Sequence, residues 1–121
     1  MVVIERVVIV EGRSDKLRVE AVLGEAVEVI CTQGTMSVEK MDDILLQVGD
    51  RAVYVLVDAD QEGSKIRQWF KRELSEATHI FIDTTYGEVA RCPLRYLART
   101  LSKYDFDVAP DLMDERKQVW L

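Results

Sequence analysis

Asp58, Asp60 and Glu62 stand at every second position where the apolar run Val53–Val57 breaks toward Gly63. In extended chain two residues span about 6.5–7 Å and bring the side chain back to the same side, so Asp58 and Asp60 can enter one cleft. Magnesium takes oxygen ligands at about 2.0–2.1 Å and commonly accepts one or two protein carboxylates, completing its shell with water and phosphate oxygens. An open-sided acid pair therefore suits metal-dependent phosphate chemistry. Glu62 would add an outer or second-metal contact, and Gly63 would let the backbone turn sharply into a helix. The same residues also have plainer uses: Asp60 as a helix N-cap, Glu62 as an acid at a helix's positive end.

A second piece repeats the design near the N-terminus, where Val7–Val10 leads into Glu11 and Gly12. Crowding of Glu11 by the aspartates would raise its pKa and make it the candidate for proton transfer. Gly12 would let backbone approach a phosphate, while Arg13, Ser14 and Lys16 would add positive charge at a helix start that favours anions. Lys65 and Arg67, early in a later helix, are further candidates for holding phosphate. Arg91, Arg95 and Arg99 recur every fourth residue as a basic stripe. Asp83 is a possible outer partner of Asp58. His79 is the sole histidine and has no evident partner, and Cys92 has no base paired with it in sequence.

These residues need elements to position them. Arg6–Val10, Val27–Cys31, Val53–Val57 and His79–Asp83 read as strands, and helix-period segments lie between them. The first helix is expected from an N-cap at Ser14 to about Leu23, burying Leu17, Ala21 and Val22 and stopping at Gly24. The second spans Met36–Val48, with Val38, Met41, Ile44, Leu45 and Val48 inward. The third spans about Glu62–Leu74, with Ile66, Trp69, Phe70 and Leu74 on one face. The fourth begins at Pro93. Alternating strand and helix with Val/Ile-rich strands implies an α/β, three-layer α/β/α sandwich on a mainly parallel four-stranded sheet. The expected strand order is 2-1-3-4. Its switch point falls between the two acid-bearing strands.

The chain has 121 residues, enough for one domain, expected over residues 1–108. A C-terminal tail, residues 109–121, would open a short helix at Pro110 and dock through Trp120 and Leu121, with a homodimer contact as the alternative use of that apolar end. Two cysteines without a C-x-x-C spacing indicate neither a zinc knuckle nor a redox motif, and a reducing, cytoplasmic setting is expected. No stretch approaches the roughly 20 apolar residues of a membrane span. A net charge of −6 argues against a general nucleic-acid coat, although carboxylates gathered for a cation contribute to that charge.

Val8–Gly12 together with Asp58–Gly63 resembles the Toprim domain shared by topoisomerases, bacterial primases, overcoming-lysogenization-defect nucleases and 5S ribosomal RNA maturation nucleases. The likeness extends over roughly Val3–Val108. Glu11–Asp15, Thr32–Gly34 and Gly63–Arg67 look most like the 5S-RNA maturation branch and its small stand-alone cousins. The resemblance implies a Rossmann-like fold, acid–base catalysis by Glu11 and magnesium binding by Asp58 and Asp60, with manganese as a possible substitute. Glu62 matches the extra acid of the topoisomerase form. The implied activity is that of a small Mg-dependent nuclease or phosphotransferase acting on RNA or DNA. The alternative is a non-catalytic module that binds magnesium and nucleic acid or nucleotide and acts with a partner protein. A phosphoacceptor receiver domain fits less well, because the first strand offers one acid and the fourth ends in Asp83-Thr-Thr rather than near a lysine. Haloacid-dehalogenase-type phosphatases carry D-x-D on their first strand, the wrong place for this chain.

Overall fold

The computed structural model describes residues 3–113. Strands β1 (Arg6–Val10), β2 (Glu28–Cys31), β3 (Ala52–Leu56) and β4 (Thr78–Ile80) form one sheet in the order β2-β1-β3-β4, every pair parallel. Helices α1 (Arg13–Val22), α2 (Val38–Val48) and α3 (Gln61–Glu73) connect successive strands. A 3-10 turn (Val89–Arg91), α4 (Leu94–Ser102) and α5 (Pro110–Met113) follow β4.

The period of two along each strand divides the core into two layers. Val8, Val10, Val29, Leu56 and Ile80 pack with α1, α4 and α5 through Val19, Val22, Leu97, Leu101 and Leu112. Val7, Ile9, Ile30, Val53 and Val55 pack on the other side with Met41, Ile44 and Val48 of α2 and Ile66 and Phe70 of α3. Burial on both faces explains why β1 is wholly apolar after Arg6. Each fully buried side chain of this kind contributes about 1.5–3 kcal/mol.

Four local expectations need correction. Helix α1 is capped at Gly12, not Ser14, because Asp15 turns back and accepts a hydrogen bond from the Gly12 N–H at 3.1 Å. Its buried residues are Asp15, Val19 and Val22, whereas Leu17 is 61% exposed and Ala21 is also on the outside. Strand β4 ends at Ile80 rather than Asp83, since its partner β3 ends opposite it at Leu56 and then turns away. In α2, Val38 faces solvent at the first turn, while Ser37 caps the helix by accepting from the Lys40 N–H. Gly49 ends α2 at φ +58°, a conformation that suits glycine.

The segment after α4 returns to the opening of the chain. The Gly24 N–H donates to the Asp107 carbonyl and the Ala109 N–H to the Val22 carbonyl, both at 2.8 Å. Leu112 is buried, so α5 packs on the α4 side. Trp120, Leu121 and the expected helical stretch beyond Met113 lie outside the described residues. Among the described residues no helix is long and apolar enough to cross a membrane.

Candidate metal centre

Adjacent parallel strands end at the same edge of a sheet, and β1 pairs with β3 in register up to Ile9 and Val55. The chains then diverge, and the crevice between them receives their next side chains. Glu11 reaches across it: its Oε1 accepts a hydrogen bond from the Asp58 N–H at 2.9 Å. The Asp58 carboxylate in turn accepts from the Val89 N–H at 2.8 Å, which ties the 3-10 turn to the same point. Asp60 caps α3 by accepting from the Gly63 N–H, also at 2.8 Å.

Gly63 is required by space rather than by φ. A Cβ there would stand 2.0 Å from the Asp58 carbonyl oxygen. The first turn of α3 thus lies directly against the Asp58 backbone.

The electrostatics follow from crowding. The Glu11 carboxyl is raised above its ordinary value, first by burial, with the Asp58 N–H opposing and the charges of Asp58, Asp60 and Asp15 adding to the rise. Asp58 is raised first by burial, then by Asp15, Asp60 and Glu88, against the pull of the Val89 N–H. Buried Asp15 is also raised, chiefly by burial and with a contribution from Glu88, while the Gly12 N–H and Arg18 oppose. The sequence reading missed Asp15 and Glu88 as members of this acidic field. Asp15 lies one turn past Glu11 and reads as an ordinary first-turn acid, and Glu88 is distant in sequence.

All donors at this centre are hard oxygens, the type magnesium prefers. Glu11, Asp58 and Asp60 each use one carboxylate oxygen on a backbone N–H, which holds the group in place and leaves its second oxygen outside that bond. Among the described residues no group of three or more His, Cys, Asp or Glu side chains is placed to hold a metal ion. Asp58 and Asp60 could at most offer one or two carboxylates to an ion, whose remaining positions water or phosphate would have to fill. The arrangement does not resemble a structural metal site.

The remaining expected residues separate around this centre. Glu62 forms an exposed ion pair with Lys65 at 3.3 Å, and both line a hollow on the far side of α3 with Thr35 and Trp69. Neither joins Glu11 and Asp58. Arg67 is 6% exposed, and its guanidinium donates to the carbonyls of Val55, Val57 and Ile80, so it is a buried strut between β3 and β4 and not a surface phosphate ligand. The Gly12 N–H is already bonded to Asp15. Arg13 and Lys16 line a separate polar hollow of about 300 Å³ with Cys31 and Gln33 at the end of β2. Asp83 bonds the Thr85 N–H in its own exposed turn and leaves the contact with Asp58 to Val89.

Two further clefts bear on the site, and only the first includes any of the acids. One, of about 550 Å³, includes Asp58 and Asp60 and continues between α3 and the end of β4. The other, of about 390 Å³, is lined by Arg18, Arg91 and Arg95 beside the start of α4. Arg18 binds the Cys92 carbonyl, while its Nε is buried without a hydrogen-bond partner. Periodicity exposed the basic character of the α4 start but not Arg18, which comes from α1. Cys92 is buried and its thiol is pushed up to about 11, chiefly by burial, which keeps it protonated and inert.

Comparison with known proteins agrees with this geometry. Residues 6–85 match the Toprim domain. The chain is 39% identical over 115 residues to the uncharacterized protein YusF of Bacillus subtilis, covering 95% of this chain and 79% of YusF. It is 26% identical over 81 residues to Ribonuclease M5 of Mycoplasma genitalium, covering 66% of this chain and 44% of that enzyme. A solved small TOPRIM domain protein from Bacillus stearothermophilus superposes with a TM-score of 0.88 at 42% identity, covering 93% of this chain and 96% of that one. With acids delivered by β1 and β3 to one crevice and a match over most of its sheet, the chain belongs to the Toprim domain family.

Proposed function

We propose that this protein performs magnesium-dependent phosphodiester chemistry on nucleic acid, as a small Toprim-type nuclease or phosphotransferase. The observation that carries this reading is the Glu11 carboxylate bonded to the Asp58 N–H at the sheet's switch point, which sets the residue we assign to proton transfer beside one we assign to metal binding. Similarity to Ribonuclease M5 favours RNA as the substrate class. The chain spans less than half the length of that enzyme.

Asp58 and Asp60 are the residues that would hold magnesium, with manganese as a substitute. When bound there, the ion would polarise a phosphodiester and offset charge developing on it. Glu11, raised above the ordinary glutamate range, is suited to take a proton from an attacking water or return one to a leaving oxygen. The Val89 N–H keeps Asp58 oriented. Arg18, Arg91 and Arg95, grouped at the start of α4, would add positive charge for flanking phosphates, although Arg91 is also paired with Glu88 at 3.3 Å.

End-labelled structured RNA, single-stranded DNA and duplex DNA, incubated with magnesium or manganese, provide the test. Cleavage that requires metal and disappears in Glu11→Gln and Asp58→Asn is the expected result. Absence of cleavage, with calorimetric metal binding present in the parent and lost in Asp58→Asn, would sink the enzymatic reading in favour of a binding module that needs a partner.

A further inference from the structure

Phe81 is 61% exposed, although it directly follows a strand whose last residue is fully buried. One side of the ring is occupied by Arg67 and the nearby His79 ring, 6.5 Å away between centroids, while most of its surface is open to solvent. A single exposed apolar side chain is ordinary, but a ring that lines a polar cleft is placed to meet the flat face of a ligand. The Arg67 guanidinium lies over the ring with Cζ 4.0 Å from its centroid. Because Arg67 is itself fixed by three backbone carbonyls, the ring rests on an immobile support. Phe81 lines the 550 Å³ cleft that also includes Asp58 and Asp60, a volume in the range of small-molecule and nucleotide sites. Ser64, Gln68 and Thr84 add hydrogen-bonding groups to its walls and Lys71 adds a cation.

We propose that this cleft is a nucleobase subsite, in which Phe81 stacks on an unpaired base next to the phosphate that a magnesium ion at Asp58 and Asp60 would hold. The inference rests on the function proposed above and identifies its substrate as single-stranded at the nucleotide beside the reacting phosphate. Stacking suits the site because every base offers a π face, while the polar wall can meet base edges. A base in a duplex is stacked and paired, and its face is unavailable to Phe81. Ser64, Arg67, Gln68 and Lys71 follow the i, i+3, i+4, i+7 spacing of one helical face, so α3 serves both the acid pair and the base cleft.

The test is equilibrium binding of fluorescent single-stranded RNA, single-stranded DNA and duplex oligonucleotides, with calcium replacing magnesium to prevent turnover. Phe81→Ala should weaken single-strand binding about 5- to 100-fold, and Phe81→Trp should retain it. Removing one base to leave an abasic position should cost the parent a similar factor and cost Phe81→Ala nothing further. Unchanged single-strand binding by Phe81→Ala, with metal-dependent binding still lost in Asp58→Asn, would overturn the subsite and leave the proposed function standing. Equal affinity of the parent for duplex and single strand would also overturn it. Failure of the parent to bind any of the three would overturn both. Sedimentation of the parent as a dimer that Phe81→Ala dissociates would reassign the ring to contact between copies.

Discussion

At Gly63 the first methyl group of any side chain would collide with the Asp58 carbonyl, 2.0 Å away, and neither backbone segment can yield cheaply. Gly63→Ala should therefore destabilise the fold by about 1–3 kcal/mol, as overpacking does, and should also weaken metal binding by shifting Asp58. Urea unfolding with and without magnesium checks both effects. The acids themselves act in the opposite direction on stability. Glu11 and Asp58 have folded-state pKa values raised above their unfolded ones. Their favourable contribution is thus complete below the unfolded values and is lost as pH rises through the folded ones. In metal-free protein at neutral pH, Glu11→Gln and Asp58→Asn should raise the Tm, because each amide keeps an oxygen for its backbone N–H while removing a crowded charge. Added magnesium should raise the Tm of the parent and not that of Asp58→Asn. Glu62→Gln, outside the cluster, should leave the magnesium response close to that of the parent. The convergence of acids from β1 and β3 on one crevice was readable from sequence because parallel neighbouring strands end at the same sheet edge. The strand's period of two lapses at Gln61, where α3 starts, and this is why Glu62 departs from its expected place.

Helix α3 and strand β4 show what an element adds beyond its residues. Arg67 occupies a position that periodicity assigns to a polar helical face, yet the short β4 leaves space for it beneath Phe81, and its guanidinium replaces ladder bonds that β3 and β4 do not form beyond Leu56 and Ile80. Arg67→Ala leaves buried carbonyls without donors and should cost at least about 3 kcal/mol in chemical denaturation. Arg67→Lys should recover little of this, since an ammonium cannot span the same carbonyls in a planar fork. Strand order and the two-layer core were legible from alternation of β-branched runs and amphipathic segments. The inward face of α1 was not, because its buried stripe runs through Asp15, Val19 and Val22 and begins with a charged residue. A search for apolar spacing selects Leu17 instead, which the structure leaves in solvent.

Across the whole molecule, the start of β1 and the chain after α4 are held together at Arg6. Its guanidinium bonds the Glu25 carboxylate and the carbonyls of Tyr104 and Asp105, and stacks on Phe106 with Cζ 3.9 Å from the ring centroid. Glu25 also accepts from the Asp107 N–H, so one ion pair joins three stretches of chain that are remote in sequence. No periodicity announces such a contact, which explains why the segment after Asp107 reads weakly from sequence alone. The Glu25 carboxyl is lowered, first by the Asp107 N–H and then by Arg6. Its stabilisation is consequently present above the unfolded glutamate value and lost as pH falls through the folded one, opposite in sign to the metal-centre acids. Acidification should therefore loosen the C-terminal segment while relieving repulsion at the crevice. The Gly24 and Ala109 amides, which bond Asp107 and Val22, should lose hydrogen-exchange protection relative to the intrinsic rate below about pH 4.5 in the parent, while the β1 and β3 amides keep theirs. Arg6→Ala should produce the same local loss of protection at neutral pH, with a global cost of about 1–2 kcal/mol from the lost cation–π contact and partly exposed hydrogen bonds. Equal loss throughout the sheet would instead mean that the C-terminal segment and the sheet open as one cooperative unit.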